Sequence, residues 1–250
     1  MDKGHTLNKK VVVITGASRG IGAATAKLLA KKGYAIVVNY FNNHQAAEAV
    51  VEQIEGSGGQ AIAYQADVSV EREVKQMFND INKEFGTVTH LVNNVGVLFT
   101  QSKLVDITLA RFQKVMQSNV ESCFLCCKAL INQCAGEGAI VNVSSAASRT
   151  GAPFEYVDYA ASKGAMDTLT KGLSLELAEQ GIRVNAVRPG FIYTDMHADG
   201  GEAGRVDRVA SQIPLKRGGQ PEEVAQAIAW LLSDDASYVT GSFIDIAGGK

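Results

Sequence analysis

The stretch from Val11 to Gly22, VVVITGASRGIG, constrains the fold of this 250-residue chain more than any other segment. Its first four residues are β-branched, which predicts a strand buried on both faces. Gly16, Gly20 and Gly22 follow, and helical character begins at Ala23. This order places backbone N–H groups and a helix N-terminus against a phosphate. We therefore predict a dinucleotide-binding turn, the alternative being a glycine turn that serves packing only.

Length and charge narrow the class of protein. A chain of this length fits one large α/β domain or two small ones, and no linker or repeat divides it, so a single domain over residues 1–250 is expected. The net charge is −2 and acids and bases are interspersed, so the sequence shows no basic patch that would bind nucleic acid or an anionic membrane. No apolar run approaches the roughly 18 residues of a spanning helix. Residues 1–8 are expected to be a loose tail without a signal-peptide core.

Four cysteines, at positions 123, 126, 127 and 134, are close enough in sequence to suggest a metal site. Their neighbours Phe124, Leu125, Leu130 and Ile131 are apolar, which favours small buried thiols on a core helix. The sequence therefore predicts no metal site and a cytoplasmic location.

Apolar runs and helical periodicity alternate along the rest of the chain. Predicted strands cover residues 35–40, 61–67, 89–96, 139–144, 184–187 and 242–247. Predicted helices cover residues 46–54, 70–85, 109–134, 156–180 and 222–233, and the glycine-rich segment 194–213 is expected to form an irregular substrate lid. Such alternation implies βαβ units with right-handed crossovers. The expected fold is α/β, a single-domain Rossmann-type doubly wound parallel sheet of about seven strands with helices on both faces.

The residues that follow the first two strands indicate the cofactor. Ligands of open parallel sheets bind at the carboxyl ends of the strands, and an acid after the second strand holds the ribose hydroxyls of NAD. Here the second strand ends at Tyr40 with no acid. Arg19, beside Ser18 in the glycine turn, can instead pair with a 2′-phosphate, the alternative being a solvated loop arginine. NADP(H) is therefore favoured, with NAD(H) possible.

Polar residues also follow the third and fourth strands. Asp67 can accept a hydrogen bond from an adenine amino group or cap the next helix, and both roles can hold together. Asn93 and Asn94 can tie neighbouring strands through their amides. We interpret that role as structural first and functional only at the cofactor edge.

Ser145, Tyr159 and Lys163 form the most informative set in the sequence. Tyr159 and Lys163 are four residues apart, so their side chains share one helix face. An ammonium ~5 Å from a phenol favours the phenolate by roughly 3 kcal/mol at an effective dielectric near 20. The hydroxyl of Ser145, after the fifth strand, can orient a substrate carbonyl. Alone, the tyrosine–lysine pair would be two surface residues; beside a dinucleotide turn it predicts acid–base chemistry.

These motifs together resemble the short-chain dehydrogenase/reductase family over residues 9–249. The resemblance rests on Thr15-Gly16-x-x-x-Gly20-x-Gly22, Asn93-Asn94-Val95-Gly96, Asn119, Ser145, Tyr159-x-x-x-Lys163 and Pro189-Gly190. It implies that Tyr159 is the acid/base, Lys163 its pKa modulator and ribose contact, Ser145 the carbonyl binder and Asn119 the holder of a relay water. It also implies cofactor contacts from Gly16, Ser18, Arg19, Gly20, Ile21, Gly22, Tyr40, Asp67, Val68, Asn93, Val95, Gly96, Val120, Tyr159, Lys163, Pro189, Gly190, Ile192 and Thr194.

Three details depart from the family pattern or leave a choice. Val95 stands where the family usually has alanine. The segment from Ser145 to Tyr159 is one residue longer than in many relatives, and Tyr156 lies within it, but only Tyr159 has a lysine four residues later. Ser144 competes with Ser145, because strand alternation lets one of them face the site.

The expected function is NADP-dependent hydride transfer to or from a small carbonyl or alcohol. A 3-oxoacyl thioester reductase is the alternative, but residues 132–138 carry no basic group for an acidic carrier protein. A non-enzymatic NADP-binding sensor is a second alternative, and a methyltransferase a remoter one. Polar lid residues His197, Arg205, Asp207 and Arg208 are expected to be solvated rather than to contact substrate. Small residues and a leucine stripe (Leu169, Leu173, Leu177) on the Tyr159 helix, with the family resemblance, predict a homotetramer.

Overall fold

The computed structural model describes residues 10–134 and 136–250, so the predicted tail of residues 1–8 lies outside the described part. One seven-stranded sheet organises the chain, and all its neighbouring strands are parallel. The strands are β1 (Val11–Ile14), β2 (Ala35–Tyr40), β3 (Gln60–Gln65), β4 (Val88–Asn93), β5 (Gly138–Val143), β6 (Ile182–Pro189) and β7 (Phe243–Ile246), in the order β3-β2-β1-β4-β5-β6-β7. This confirms the predicted Rossmann-type α/β sheet.

Ten helices connect the strands of the described chain. They are α1 (Gly20–Lys31), α2 (His44–Glu55), α3 (Glu71–Glu84), α4 (Leu109–Met116), α5 (Ser122–Gln133), α6 (Ala147–Thr150), α7 (Val157–Glu176), α8 (Met196–Asp199), α9 (Arg205–Ala210) and α10 (Pro221–Leu232). The ends of the longer helices lie within a few residues of the predicted ones.

The sheet is covered on both faces because successive residues of each strand point to opposite sides. In β1, Val12 and Ile14 enter the core beneath α1, α2 and α10. Val11 and Val13 enter the second core, beneath α3, α5 and α7. The run of β-branched residues in β1 is therefore apolar at every position, as a central strand must be.

Two segments differ from the sequence expectation. The predicted helix over 109–134 contains one wide π-turn, Gln117–Glu121, between α4 and α5. The segment 194–213, expected to be irregular, contains α8 and α9, and Val206 and Val209 of α9 are buried. A period of 3.6 residues is hard to recognise in helices of four to six residues, which is why the sequence pattern did not indicate them.

The strand order reverses between β1 and β4, which extend the sheet in opposite directions. A ligand of an open α/β sheet binds at such a switch point, outside the carboxyl ends of the strands. The glycine turn after β1, the Asn-Asn-Val-Gly stretch after β4 and Ser145 after β5 all lie at this edge.

Candidate active site

The turn between β1 and α1 has the backbone of a phosphate-binding loop. Gly16 and Gly20 have φ of +62° and +55°, a region that other residues rarely adopt. A Cβ on Gly22 would lie 2.7 Å from the carbonyl oxygen of Gly16, so the helix and the turn pack closely only with glycine there. The Nδ2 of Asn94 donates to the carbonyls of Thr15 and Gly16, which fixes the turn to the end of β4.

The side chain of Lys163 reaches the carboxyl end of β5, at the same edge of the sheet. Its Nζ donates to the carbonyl of Val143 at 2.8 Å and lies 5.6 Å from the ring centroid of Tyr159. A Cβ on Gly96 would come within 3.4 Å of this ammonium. The structure thus brings together Tyr159, Lys163 and Gly96. The missing side chain of Gly96 leaves space beside the ammonium of Lys163.

Ser145, rather than Ser144, faces the tyrosine. The hydroxyl of Ser144 is buried and donates to the carbonyl of Lys163 at 3.3 Å. The Oγ of Ser145 accepts from the backbone N–H of Ala147, and its hydrogen bond to the phenol opposes the rise in the pKa of Tyr159. The choice that strand alternation left open is resolved in this way.

The pKa values of the pair differ from the expectation. Burial raises the pKa of Tyr159 to about 12, and burial lowers the pKa of Lys163 to about 8. The predicted lowering of the tyrosine pKa by the ammonium is therefore wrong for the protein alone, because the loss of hydration disfavours the charged form of both groups. At neutral pH Tyr159 is a neutral phenol, which can give a proton.

Asn119 lies in the wide π-turn and is fully buried. Its Oδ1 accepts from the N–H of Val97 at 2.7 Å, and its Nδ2 donates to the carbonyl of Val97 and to the Oγ of Ser162. The Oγ of Ser162 in turn donates to the carbonyl of Tyr159. The side-chain amide of Asn119 is thus hydrogen-bonded to protein partners through both its oxygen and its nitrogen.

The predicted 2′-phosphate contact, Arg19, is paired with carboxylates of the lid segment. Its guanidinium lies 2.5 Å from the Oδ2 of Asp199 and 3.9 Å from that of Asp195. These side chains are half-exposed, so the ion pairs are weak. Tyr40, the other residue proposed for this edge, is buried, and its hydroxyl bonds the Nδ1 of His44.

Residues expected around the adenosine occupy several environments. The Oδ1 of Asp67 accepts from the N–H and hydroxyl of Ser69, a local turn ahead of α3. The Nδ2 of Asn93 donates to Asn142 and so ties β4 to β5, the structural role that the sequence indicated. Val68 is buried and Val120 is half-buried. Val95 packs on the glycine turn, since a Cβ on Gly16 would meet its Cγ2 at 3.1 Å.

A cavity of about 390 Å³ opens beside Tyr159. Its lining includes five predicted cofactor residues and two predicted catalytic neighbours of the tyrosine: Ile21, Pro189, Gly190, Ile192, Thr194, Ser145 and Lys163. Apolar groups of Leu98, Ala152, Pro153, Phe191 and Met196 form further wall. The volume suits a nicotinamide ring with a small substrate.

Arg205 corrects the expectation of a solvated lid residue. It is 6% exposed, donates to the hydroxyl of Tyr156 at 2.7 Å and pairs with Glu155. Asp207 and Arg208 are exposed, as expected. The Nε2 of His197 bonds the carbonyl of Ile192, and its buried Nδ1 has no partner among the described residues. The sequence held no signal for Arg205, because its partners lie 49 and 50 residues away.

Residues 10–134 and 136–250 lack both a metal-binding cluster and a helix able to span a membrane. No cluster of three or more histidine, cysteine or acidic residues there could hold a metal ion. Within the same residues, no helix is long and apolar enough to cross a membrane.

Comparison with known proteins identifies the family of the chain. A family model described as enoyl-(acyl carrier protein) reductase matches residues 16–250. The uncharacterized oxidoreductase YgfF of Escherichia coli strain K12 is 60% identical over 245 residues, 96% of this chain and 99% of that protein. Glucose 1-dehydrogenase 2 of Bacillus subtilis strain 168 is 37% identical over 246 residues, 97% of this chain and 95% of that protein.

A solved structure is also similar over nearly the whole chain. It is a short-chain dehydrogenase from Burkholderia cenocepacia J2315 in complex with NADP, with a TM-score of 0.89 and 34% identity, covering 97% of each chain. The family match and the relatives define the class of protein, a nicotinamide-dependent oxidoreductase acting on CH–OH and C=O groups. The chain belongs to the short-chain dehydrogenase/reductase family.

Proposed function

We propose that this protein is an NADP(H)-dependent reductase or dehydrogenase of a small carbonyl or alcohol. The observation that carries the proposal is the placement of Tyr159, Ser145 and Lys163 on one wall of a small cavity, beside the glycine turn. A bound nicotinamide supplies or accepts the hydride. A sensor that only bound the cofactor would need no serine–tyrosine pair, so catalysis is favoured over the sensor alternative.

Each catalytic side chain has a distinct role in this proposal. Ser145 orients the substrate oxygen, and Tyr159 gives that oxygen its proton in reduction or removes it in oxidation. Lys163 binds the nicotinamide ribose and favours the phenolate once the proton has left. Asn119 positions Tyr159 and Lys163, because its bond to Ser162 fixes the start of α7, which carries both side chains. The segment 194–213 acts as a lid over the catalytic cavity. The chain forms a single domain.

We expect NADPH to be preferred to NADH, because Arg19 lies in the glycine turn and no acid ends β2. A hydrogen bond to a charged group contributes about 1.5–3 kcal/mol. Arg19→Ala should therefore lower kcat/KM for NADPH by about 10- to 100-fold. The same variant assayed with NADH is the internal control and should change little. A wild-type kcat/KM that is higher with NADH would contradict the preference.

A 3-oxoacyl thioester substrate is the second candidate. It is supported by 39% identity over 242 residues to the 3-oxoacyl-[acyl-carrier-protein] reductase FabG of Staphylococcus epidermidis strain ATCC 12228, which covers 96% of this chain. The small cavity favours a free carbonyl compound. A side-by-side assay of acetoacetyl-CoA and small free ketones separates the two.

We also propose a homotetramer. Exposed apolar side chains lie on the helices expected to join subunits: Leu109, Phe112, Phe124 and Leu175. Of the predicted leucine stripe, Leu177 is buried in the core of its own chain, and Leu173 is partly buried against that core. Tyr238, in the segment proposed for a second contact, is fully exposed.

Light scattering at low micromolar concentration tests this assembly. We expect four times the 26.5-kDa mass of one chain. Phe124→Glu should reduce the mass to that of two chains, because it places a charge in the subunit interface that we propose for α4 and α5. Lys32→Glu, on an exposed turn, is the matched control. A wild-type mass of one chain would refute the assembly. We further propose a cytosolic location, since all four cysteines are free thiols.

A further inference from the structure

The lining of the catalytic cavity includes two cationic side chains that the proposed reaction does not use. Arg205, from α9, and Lys250 both line the cavity. The Cζ of Arg205 lies 5.4 Å from the ring centroid of Phe191, and the Nζ of Lys250 lies 4.9 Å from the same centroid. Two like charges therefore share one aromatic ring in a mostly apolar cavity.

Acidic side chains are fewer than cationic side chains in this lining. Glu155 is the one acidic residue of the described chain that lines this cavity, and it pairs with Arg205 at 2.5 Å. Lys250 has no ion pair with any described residue. This part of the cavity thus has two cationic side chains and one acidic side chain, with the ammonium of Lys163 farther inside.

Arg205 retains hydrogen-bonding capacity for a ligand. A guanidinium has five N–H groups, and the protein uses one toward Tyr156 and one toward Glu155. Stacking on the ring of Tyr156, 4.7 Å from its centroid, holds the plane of the guanidinium in place. A planar, preorganised donor of this kind suits a carboxylate.

We propose that the cavity takes a substrate with an anionic group, an oxo acid or the corresponding hydroxy acid, whose carboxylate binds between Arg205 and Lys250. This inference names the substrate class and rests on the proposed function. The reacting carbonyl lies at Ser145 and Tyr159, and the apolar wall of Leu98, Pro153 and Met196 faces the carbon chain between. Arg205 is buried, so the apolar walls strengthen its attraction for the carboxylate by excluding water, whereas Lys250 is exposed.

Matched acids and esters test the proposal. The probes are pyruvate, acetoacetate and levulinate, which differ in the spacing of carbonyl and carboxylate, each compared with its neutral methyl ester in NADPH oxidation. We expect at least one acid to exceed its ester tenfold or more in kcat/KM. Lys250→Met and Arg205→Lys should each lower that acid-to-ester ratio about tenfold, through KM rather than kcat. Lys32→Met, a lysine on an exposed turn, is the control and should leave the ratio unchanged.

A binding measurement separates this inference from the proposed function. Calorimetry with butyrate and the NADP⁺-loaded protein should show binding in the wild type and at least fivefold weaker binding in Lys250→Met. Ester turnover equal to that of the acids, with the ratio unaltered in the variants, would overturn the anion site and leave the reductase intact. Butyrate binding without reduction of any probe would support the anion site and count against the reductase.

Discussion

Tyr159→Phe is expected to lower kcat by about 10²- to 10⁴-fold, the range that a positioned general acid or base contributes. The substitution removes the hydroxyl and keeps the buried ring. Because burial raises the pKa of Tyr159 to about 12, the phenol is protonated at neutral pH and is the proton donor in the direction of reduction. Steady-state kinetics with NADPH and a carbonyl substrate that the wild type reduces measure the loss.

Two comparisons make this result specific. NADPH affinity, measured by fluorescence titration, should change less than threefold in Tyr159→Phe, since the hydroxyl acts on the substrate. Tyr156→Phe, which removes a hydroxyl bonded to Arg205, should keep kcat within a few-fold of the wild type. A Tyr159→Phe enzyme with nearly normal turnover would refute the acid–base assignment.

Lys163→Met is expected to separate activity from stability. Turnover should fall by about 10²- to 10⁴-fold, as for Tyr159→Phe, because proton transfer loses its charge partner. NADPH binding should weaken as well, since the ribose contact is lost. The free protein, in contrast, should become more stable at pH 7.

The direction of this change in stability follows from the pKa of Lys163. Burial lowers it from 10.5 to about 8, so between pH 8 and 10.5 the unfolded chain binds more protons than the folded one. Folding stability from this group therefore rises with pH across that window and is lowest below pH 8. The shift corresponds to a penalty on the order of 3 kcal/mol at pH 7. Replacement by methionine removes the penalty.

Thermal unfolding of the cofactor-free protein measures this effect. Lys163→Met should have a higher Tm than the wild type at pH 7 and a flatter dependence of Tm on pH from 8 to 10.5. Lys171→Met, an exposed residue two turns later on α7, is the control and should follow the wild type. Loss of stability at pH 7 in Lys163→Met would contradict the account of a penalised buried charge.

The parts predicted from sequence share one property: local patterns determine them. The β-branched run, glycine turn and helix of residues 11–31 form one unit, and the four-residue spacing of Tyr159 and Lys163 fixes a common helix face. Repeated strand and helix signals then allow few arrangements other than a doubly wound sheet. The resemblance to the family added Asn119, which has no local signal of its own.

The features that were missed depend on contacts between distant residues. The π-turn around Asn119 is bonded to Val97 and Ser162, 22 and 43 positions away. The burial of Arg205 depends on Glu155 and Tyr156, which belong to another loop. The pKa of Tyr159 depends on how completely the surrounding chain excludes water, and hydration cannot be obtained from the spacing of two residues.

Isotope transfer tests the central claim, that this protein moves a hydride between a nicotinamide and a substrate carbon, most directly. Two preparations of NADPH are used, each deuterated at C4 on one face of the nicotinamide ring. Each is incubated with the protein and the carbonyl probes, and mass spectrometry measures the masses of the alcohol products. We predict a product one mass unit heavier with one of the two preparations and an unlabelled product with the other. Products unlabelled with both preparations, or no alcohol from any probe, would contradict the claim.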